Sequence, residues 1–387
     1  MKYLKKAILF SFIFSLLFTL SSCGSDDPKP VEPTTTPRTV LVYMVADNSL
    51  GSSNFDTSDL DEMLLAANDL GSSRWIVYHH SRHGKIELKE LKPAGWETIK
   101  TYTDDERSTS SARMSEVIAD MKKAAPAENY GLILWSHASG WIVDGPEDTD
   151  SRSEKTASPL SFGDDNGSRM NIKTLKRVLS KADFDYIYAD CCNMATIEVA
   201  YELRDVAQYL IGSATELPAD GMPYDRNIKL LAAETPDIAG AARNTYEYYV
   251  NRGYSDDWCT ISVINLEEVE ELAMMTGAIY YSTDDYSSSY SPQRLTNTIS
   301  GTCYYYDLKH FIDYLTDDSD MGLQWNKQLE KTVVYKAAMP YFGHVRIDHH
   351  CGLATYIMTT EQSASTKGYN TTSWFEDIAK YQPLQAK

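Results

Sequence analysis

Short apolar runs alternate with amphipathic segments along the chain from about residue 38. The runs are nearly continuous in apolar residues, which is typical of strands buried on both faces of a parallel sheet. They predict strands at 39–45, 74–79, 130–135 and 184–189. Helical spacing of apolar residues predicts helices at 56–70, 111–124 and 171–180. This alternation predicts an α/β fold with a mainly parallel central sheet and helices on both faces.

The pattern continues past the fourth strand. An apolar stripe at helical spacing predicts a helix from Met194 to Tyr209. Strands are expected at 209–213 and 259–265, with two helical stretches between them up to about Gly253. We therefore expect a main domain at 38–265. The remainder, 266–387, is mostly helical and Tyr-rich, and we expect a C-terminal subdomain whose late strand at 352–358 could return to a sheet.

The N-terminus has the pattern of a targeting segment. Lysines precede a 14-residue apolar stretch, Ala7 to Leu20, which is short for a permanent membrane helix. The following Leu20-Ser21-Ser22-Cys23 resembles the bacterial lipoprotein lipobox, which implies removal of residues 1–22 and acylation of Cys23. An ordinary signal peptide is the alternative. Residues 23–37 have the composition of a flexible tether, so we expect an outer-membrane lipoprotein, exposed at the cell surface if Asp26 and Asp27 act as export signals.

Composition limits the class of partner. A chain of 387 residues with 43% apolar residues can bury a sizeable core without disulfides. The formal net charge of −19 at pH 7 argues against nucleic acid, because phosphate binding needs a basic surface, and favours cationic peptides or ligands. Of six cysteines, five remain once Cys23 is set aside, so at least one thiol of an exported chain is unpaired or pairs between chains.

Two strand ends carry reactive side chains. Cys192 follows the 184–189 strand, and His137 follows the 130–135 strand. A thiol and an imidazole at the carboxyl ends of parallel strands are the minimum set for a cysteine nucleophile. We expect Cys192 at a helix N-terminus, where the dipole favours thiolate, and the N–H groups of Cys192 and Ala138 as the oxyanion site.

Asp190 precedes Cys192 by two residues, so both side chains point to the same face of an extended segment. A carboxylate there would raise the pKa of the thiol unless it has another task. One such task is to form an anionic floor for a cationic substrate side chain. The alternative is that Asp190 caps the following helix.

Three ordered motifs resemble the clostripain family of cysteine peptidases, in the caspase-like clan. They are Asp190-x-Cys192-x-Met194 with the 197–203 segment after it, the apolar strand that ends in His137, and Val42-Tyr-Met-Val-Ala-Asp-Asn48. The resemblance covers roughly 38–265 and is weaker beyond. It implies a caspase-like αβα sandwich, a Cys192/His137 dyad, cleavage of peptides after Arg or Lys selected by Asp190, and activation by internal cleavage.

The polar segment 143–169 is the expected place for that internal cleavage. It contains two Pro, three Gly and many charges, and loops of this length are usually functional or mobile. Arg152, Lys155 and Arg169 are the candidate cleavage sites. An uncut, solvated loop is the alternative.

Two departures from the family pattern support a competing hypothesis. Ala138 and Ala195 stand where the family usually has Gly. If either position requires a positive φ, Ala would cost about a kcal/mol and could misdirect an oxyanion donor. The alternative function is therefore a catalytically degenerate surface lipoprotein that binds peptide or glycan on a peptidase scaffold.

The remaining signals for a metal are weak. His79, His80 and His83 lack nearby Cys or paired acids in the sequence, and His349-His350-Cys351 is similar. Asp164-Asp165-Asn166-Gly167 only partly resembles a calcium loop and is more typical of a turn. We expect no metal site and no required cofactor, with calcium left open because some family members are stimulated by it.

Overall fold

The computed structural model describes residues 34–82, 84–142, 162–253, 258–283, 290–296, 305–316, 319–358 and 366–378. The predicted signal peptide and Cys23, together with His83, Arg152, Lys155 and Cys303, lie outside these residues. None of the described helices is long and apolar enough to cross a membrane.

The elements follow one another in the order that the apolar pattern predicts, with several additions. The described strands are β1 Thr36–Val45, β2 Arg74–His80, β3 Ile86–Lys92, β4 Gly95–Tyr102, β5 Ala127–Trp135, β6 Phe162–Asp165, β7 Ser168–Met170, β8 Tyr186–Asp190, β9 Tyr209–Gly212, β10 Thr260–Asn265, β11 Tyr305–Asp307, β12 Val333–Ala338, β13 Tyr341–Phe342, β14 Val345–Arg346 and β15 Ala354–Tyr356. The described helices are α1 Ser49–Ser52, α2 Phe55–Leu65, α3 Ser111–Ala124, α4 Ile172–Leu179, α5 Ile197–Glu202, α6 Tyr224–Leu231, α7 Ile238–Arg252, α8 Val269–Ser282, α9 Leu308–Thr316, α10 Asp320–Thr332 and α11 Ser373–Ile378.

Nine of the described strands form one sheet in the order β12-β10-β9-β8-β5-β1-β2-β3-β4. The five central strands, from β9 to β2, are parallel. Antiparallel pairing adds β10 and β12 at one edge and β3 and β4 at the other. The expected parallel core is therefore present, but the sheet as a whole is mixed.

The sheet separates two apolar layers, and β1 shows how. Its side chains alternate between the faces, as the strand period of two requires. Leu41 and Tyr43 pack in the layer that contains residues of α3, α4, α5 and α8. Val40 and Val42 pack in the layer that contains residues of α2, α6 and α7. Helices thus cover both faces, which confirms the predicted αβα sandwich.

The strand order creates a crevice at the carboxyl edge of the sheet. The chain passes from β1 to β2 on one side and from β5 to β8 on the other, although β1 and β5 are neighbours. Connections that leave two adjacent strands in opposite directions open a gap between them, where open α/β sheets usually bind ligands. The loops after β1 and β5 line this gap.

The hairpin of β3 and β4 is the largest element that the sequence pattern missed. A register shift between Leu88 and Lys89 interrupts the alternation of apolar and polar residues in β3. The strand signal of period two is therefore too short to recognise.

The segment after residue 265 differs in detail from its prediction. It adds β12 to the edge of the main sheet, where β12 pairs with β10. The predicted strand at 352–358 is shorter, and as β15 it pairs with β11 outside the main sheet.

Candidate active site

The carboxyl ends of β5 and β8 bring the candidate catalytic residues to one edge of the sheet. The two strands are parallel neighbours, and Trp135 at the end of β5 is paired with Asp190 at the end of β8. His137 and Cys192 each follow that pair by two residues. Neighbouring strands lie about 4.8 Å apart. Because His137 and Cys192 follow two paired residues by the same number of positions, the imidazole and the thiol lie in adjacent loops.

A tight turn after β8 carries Cys192. Asn193 adopts a φ of 58°, a left-handed conformation that Asn tolerates better than most residues. Its N–H donates to the carbonyl of Thr215 at 3.0 Å, and the N–H of Ala195 donates to the carbonyl of Ser213 at 2.9 Å. These bonds tie the turn to the segment after β9 and fix the backbone on either side of the thiol.

The two adjacent cysteines have different environments. Cys191 is 3% exposed and belongs to the apolar layer around α5. Cys192 is partly exposed, so only its side chain reaches the crevice. This difference separates a packing residue from a candidate nucleophile.

The Cys192 thiol is held by the backbone of the neighbouring loop. The N–H of Leu217 donates to Sγ at 3.4 Å. Although the residue is partly exposed, protein atoms surround its sulfur, and this burial raises the pKa of the thiol to about 11. The hydrogen bond from Leu217 opposes the rise, while Glu216 and Asp190 add to it. In this arrangement the thiol is protonated at neutral pH.

The helix after Cys192 begins later than predicted. The expected helix Met194–Tyr209 is reduced to α5, Ile197–Glu202, and Thr196 caps it by accepting the N–H of Val199 at 3.3 Å. Cys192 therefore lies outside the first turn, and the expected stabilisation of a thiolate by a helix N-terminus is wrong, because that effect fades within one turn. The left-handed turn at Asn193 and the side-chain cap of Thr196 delay the start of the helix that the apolar stripe predicts.

His137 is oriented by the loop after β1. Its Nε2 lies 2.7 Å from Oγ of Ser49. Burial lowers the pKa of the imidazole, with Asp164 opposing this effect and Arg169 adding to it. Asn48 fixes the Ser49 loop, since its side-chain amide donates to the carbonyls of Val45 at 2.9 Å and Asp164 at 2.8 Å. Ser49 was not identified from the sequence, because no motif connects it to His137.

The backbone at the two unusual alanines is unstrained. Among the described residues, the non-glycines with positive φ are Asn54, Asn166, Asp183 and Asn193. Ala138 and Ala195 are not among them, so neither methyl group carries the strain that the departures from glycine suggested. Ala138 forms an isolated antiparallel bridge with Phe162, and its N–H and that of Cys192 remain the candidate oxyanion donors.

Asp190 points into the interior below the thiol, and it does not cap α5. Its Oδ1 accepts the N–H of Met222 at 3.0 Å, and its Oδ2 accepts the hydroxyl of Tyr224 at 3.0 Å. Burial raises the pKa of this carboxyl to about 7 against the effect of both hydrogen bonds. Gly221, with a φ of 60°, leaves space here, since a Cβ would lie 2.8 Å from Oδ1.

Comparison with known proteins identifies the group to which this site belongs. The model of the clostripain family matches residues 42–385. The chain belongs to the clostripain family. No curated protein matches the chain.

Solved structures agree with this assignment. The secreted C11 cysteine protease of Bacteroides thetaiotaomicron called iotapain is 29% identical, with a TM-score of 0.75 over 89% of this chain and 100% of that one. A structure described as an inactive zymogen C11 protease from Parabacteroides distasonis is 27% identical, with a TM-score of 0.75 over 90% and 99%. A complex of the Bacteroides thetaiotaomicron protease with an irreversible peptide inhibitor is 28% identical, with a TM-score of 0.73 over 89% and 99%. The chain is thus a caspase-like cysteine peptidase of the clostripain family.

Further carboxylates of this clostripain-family chain surround Asp190. Asp59 and Glu62 project from α2; Asp59 accepts the indole N–H of Trp135 at 2.6 Å, and Glu62 accepts the N–H of Tyr224 at 3.0 Å. Burial raises the pKa of Asp59 well above its ordinary value, and Asp190 adds to this rise. Asp59 is 2% exposed. In the sequence, the only sign of these two acids is their spacing of three positions on one helix. A solvent-exposed helix face has the same spacing.

The hairpin of β6 and β7 contains the one candidate cleavage residue that is described. Arg169 lies within β7, and its Nη2 is 2.7 Å from Oδ2 of Asp164. Cleavage after Arg169 would require this hairpin to open, whereas Arg152 and Lys155 lie outside the described residues. The Asp164–Gly167 stretch forms the expected turn: Asn166 and Gly167 both have positive φ, as two-residue hairpin loops require.

Proposed function

We propose that this clostripain-family peptidase is an endopeptidase that hydrolyses peptide bonds after Arg or Lys, with Cys192 as nucleophile and His137 as general base and acid. The observation that carries the proposal is the equal offset of both residues beyond the Trp135–Asp190 pair of adjacent parallel strands. That offset supports a site in which the thiol and the imidazole act on the same substrate molecule. The carboxylate of Asp190 is buried below them.

The reaction would proceed in two steps. His137 takes the proton of the Cys192 thiol, and the sulfur attacks the carbonyl carbon of the scissile bond. The oxyanion is held by the N–H groups of Ala138 and Cys192, and His137 returns the proton to the departing amine, which leaves a thioester. Water then attacks the thioester, His137 accepts a proton from the water, and that proton returns to sulfur.

The contacts described for the two side chains support a resting state. Nε2 of His137 is hydrogen-bonded to Ser49, and Sγ of Cys192 accepts from Leu217. With the pKa of the thiol raised by burial and that of the imidazole lowered by burial, the pair is neutral at pH 7. Bound substrate would have to exchange these contacts for a bond between thiol and imidazole, since catalytic hydrogen bonds often tighten only in the complex.

The expected preference for Arg or Lys is supported by the charge below the thiol. Asp190 is 6% exposed, and burial raises the pKa of its carboxyl group and of the nearby carboxyl groups of Asp59 and Glu62. A buried carboxylate without a cation is unfavourable, so a substrate cation that enters here gains more than it would at the surface.

We also propose that the mature protein is anchored in the outer membrane through an acylated Cys23 and is cut in the 143–169 loop by its own activity. The lipobox-like sequence supports the first part, and the basic residues of the loop support the second. Cell fractionation tests the anchor: the unmodified chain should sediment with membranes, and Cys23→Ser should release it.

Covalent labelling tests the proposal against the competing function. A peptide with Arg at its reactive end and an acyloxymethyl ketone should modify Cys192, and peptide mapping should find Cys191, Cys259 and Cys351 unmodified because all three are buried. A probe that leaves Cys192 unmodified while the peptide still binds would contradict the peptidase and favour the degenerate lipoprotein.

A further inference from the structure

Three residues at the crevice, outside the catalytic pair, converge in a way that the sequence does not indicate. Asp47 follows β1, His80 ends β2, and Asp165 ends β6. In the described part of the chain they form one group of metal-binding side chains, with one ligand atom from each all within 4.8 Å of one another. They are 33 or more positions apart in sequence, so no spacing motif could reveal them.

The surrounding groups hold two of these side chains in place. Nδ1 of His80 lies 2.7 Å from Oγ of Ser108, which fixes the plane of the ring. Asp165 is fully buried, and its carboxylate accepts the N–H of Ser108 at 2.6 Å and Nη1 of Arg107 at 3.2 Å. Outer partners of this kind usually orient metal-binding His and carboxylate side chains. Asp47 is partly exposed, so its side chain has room to move toward a bound ion.

The charge of these three side chains and the type of their donor atoms determine which ion would bind. Asp165 pairs with the half-exposed guanidinium of Arg107, and Asp47 adds a second carboxylate to the group. Nδ1 of His80 lies 3.6 Å from Oδ2 of Asp165, which places the imidazole ring beside that carboxylate. Imidazole nitrogen with carboxylate oxygens suits first-row divalent ions such as Zn²⁺, whereas Ca²⁺ prefers six or more oxygens.

This cluster is linked to the His137 loop by short bonds. The N–H of Asn166 donates to the carbonyl of Asp47 at 2.8 Å, and the N–H of Gly163 donates to the carbonyl of His137 at 2.9 Å. Ser49, two residues after Asp47, contacts Nε2 of His137. A cation held by Asp47, His80 and Asp165 would therefore clamp the β6–β7 hairpin to the same loop that orients the imidazole.

We propose that Asp47, His80 and Asp165 bind one first-row divalent cation, of which Zn²⁺ is the best fit, and that this ion fixes the β6–β7 hairpin beside His137. The inference does not depend on the proposed peptide specificity. The ion would have a positioning role, because Asp47, His80 and Asp165 do not contact the Cys192 thiol.

Calorimetric titration with Zn²⁺ tests the site in the full-length chain, purified without a metal-affinity tag and treated with chelator. The Cys192→Ala background removes the thiol that could also bind Zn²⁺. We expect one ion per chain, and a rise in Kd of at least about tenfold in Asp47→Asn and in His80→Gln. His344→Gln, an exposed histidine elsewhere, should leave the Kd unchanged.

Hydrogen exchange supplies a second readout that survives if a variant loses stability. Zn²⁺ should slow exchange of the amides of residues 162–170 in the Cys192→Ala chain and leave β12 unaffected. Equal Zn²⁺ affinity in Asp47→Asn, His80→Gln and the parent overturns the proposal, as does the absence of binding in the parent. In either case the contact of His80 with Asp165 is structural only.

Discussion

At the scale of single residues, the site depends on which of two adjacent cysteines reaches the crevice. Cys191 is packed in the core, while Cys192 is partly exposed and accepts a hydrogen bond from Leu217. The two alanines that depart from the family pattern have ordinary backbone conformations, and the left-handed residue of this turn is Asn193. The two methyl groups therefore give no structural reason to doubt catalysis.

Asp190→Asn should weaken the preference for a basic residue. Asparagine keeps the shape and can still accept the N–H of Met222, but it cannot neutralise a cation. We expect kcat/KM for an Arg reporter, relative to one with neutral citrulline, to fall by roughly thirtyfold, which corresponds to about 2 kcal/mol. Because burial raises the pKa of Asp190 to about 7, the preference of the unmodified enzyme should also increase as pH rises through 7.

Asp205→Asn is the matched control, because Asp205 is exposed. Its Arg-to-citrulline ratio should equal that of the unmodified enzyme. An unchanged ratio in Asp190→Asn would remove Asp190 from substrate selection and leave it as a partner of Tyr224.

At the scale of elements, the proposed self-cleavage would fall in the connection between β5 and β6. Arg152 and Lys155 lie in that connection, whereas Arg169 is paired within the hairpin. Intact mass of the purified chain should show cuts after Arg152 or Lys155. Cys192→Ala should remain whole, and Arg152→Gln with Lys155→Gln should remain whole while still reacting with the Arg probe. Cutting in the Cys192→Ala chain would assign the cleavage to another peptidase.

The sequence predicted those elements whose signal is local. The buried strands of the parallel core have continuous apolar runs, and α3 has the predicted bounds, Ser111–Ala124. The β3–β4 hairpin was missed because a register shift breaks its alternation. The helix after Cys192 was drawn too long because capping by Thr196 competes with the apolar stripe.

The surroundings of the site could not be predicted in the same way. His137, Cys192 and Asp190 stand in motifs next to strands, so the sequence could nominate them. Ser49 and Asp59 meet the site through contacts across 88 and 76 positions. Such contacts follow from strand order, which no local pattern specifies.

At the scale of the whole molecule, burial raises the pKa of several of the described carboxyl groups. Glu198 is 1% exposed and accepts from Thr355 and from the N–H of Tyr356, each at 2.9 Å. Burial raises its pKa from the ordinary 4.5 to about 7. Asp190 and Glu216 are raised to about 7 in the same way.

These carboxyl groups should therefore contribute less stability as the solution becomes less acidic. A carboxyl whose pKa is higher in the folded state contributes its full stabilisation below its unfolded pKa and loses it as pH rises through the folded value. The free energy of unfolding in urea, measured from pH 5 to pH 8, should isolate this contribution as the difference between the Cys192→Ala chain and the same chain with Glu198→Gln, because histidines of lowered pKa such as His350 act in the opposite direction. Over this range the chain that keeps Glu198 should lose up to roughly 3 kcal/mol relative to the Glu198→Gln chain.

Glu234→Gln serves as the control for this slope, since Glu234 is exposed. It should keep the pH dependence of the parent. A pH dependence that Glu198→Gln leaves unchanged would contradict the assignment of this contribution to the buried Glu198 carboxyl group.

Hydrolysis of an Arg reporter peptide by the matched pair Cys192→Ala and Cys191→Ala tests the central claim most directly. Both variants remove one sulfur from adjacent positions of the same turn, and circular dichroism verifies that both are folded. The account predicts that Cys192→Ala loses activity by at least about a thousandfold, while Cys191→Ala keeps the rate within about tenfold of the unmodified enzyme. Full activity in Cys192→Ala, or equal loss in both variants, would contradict it.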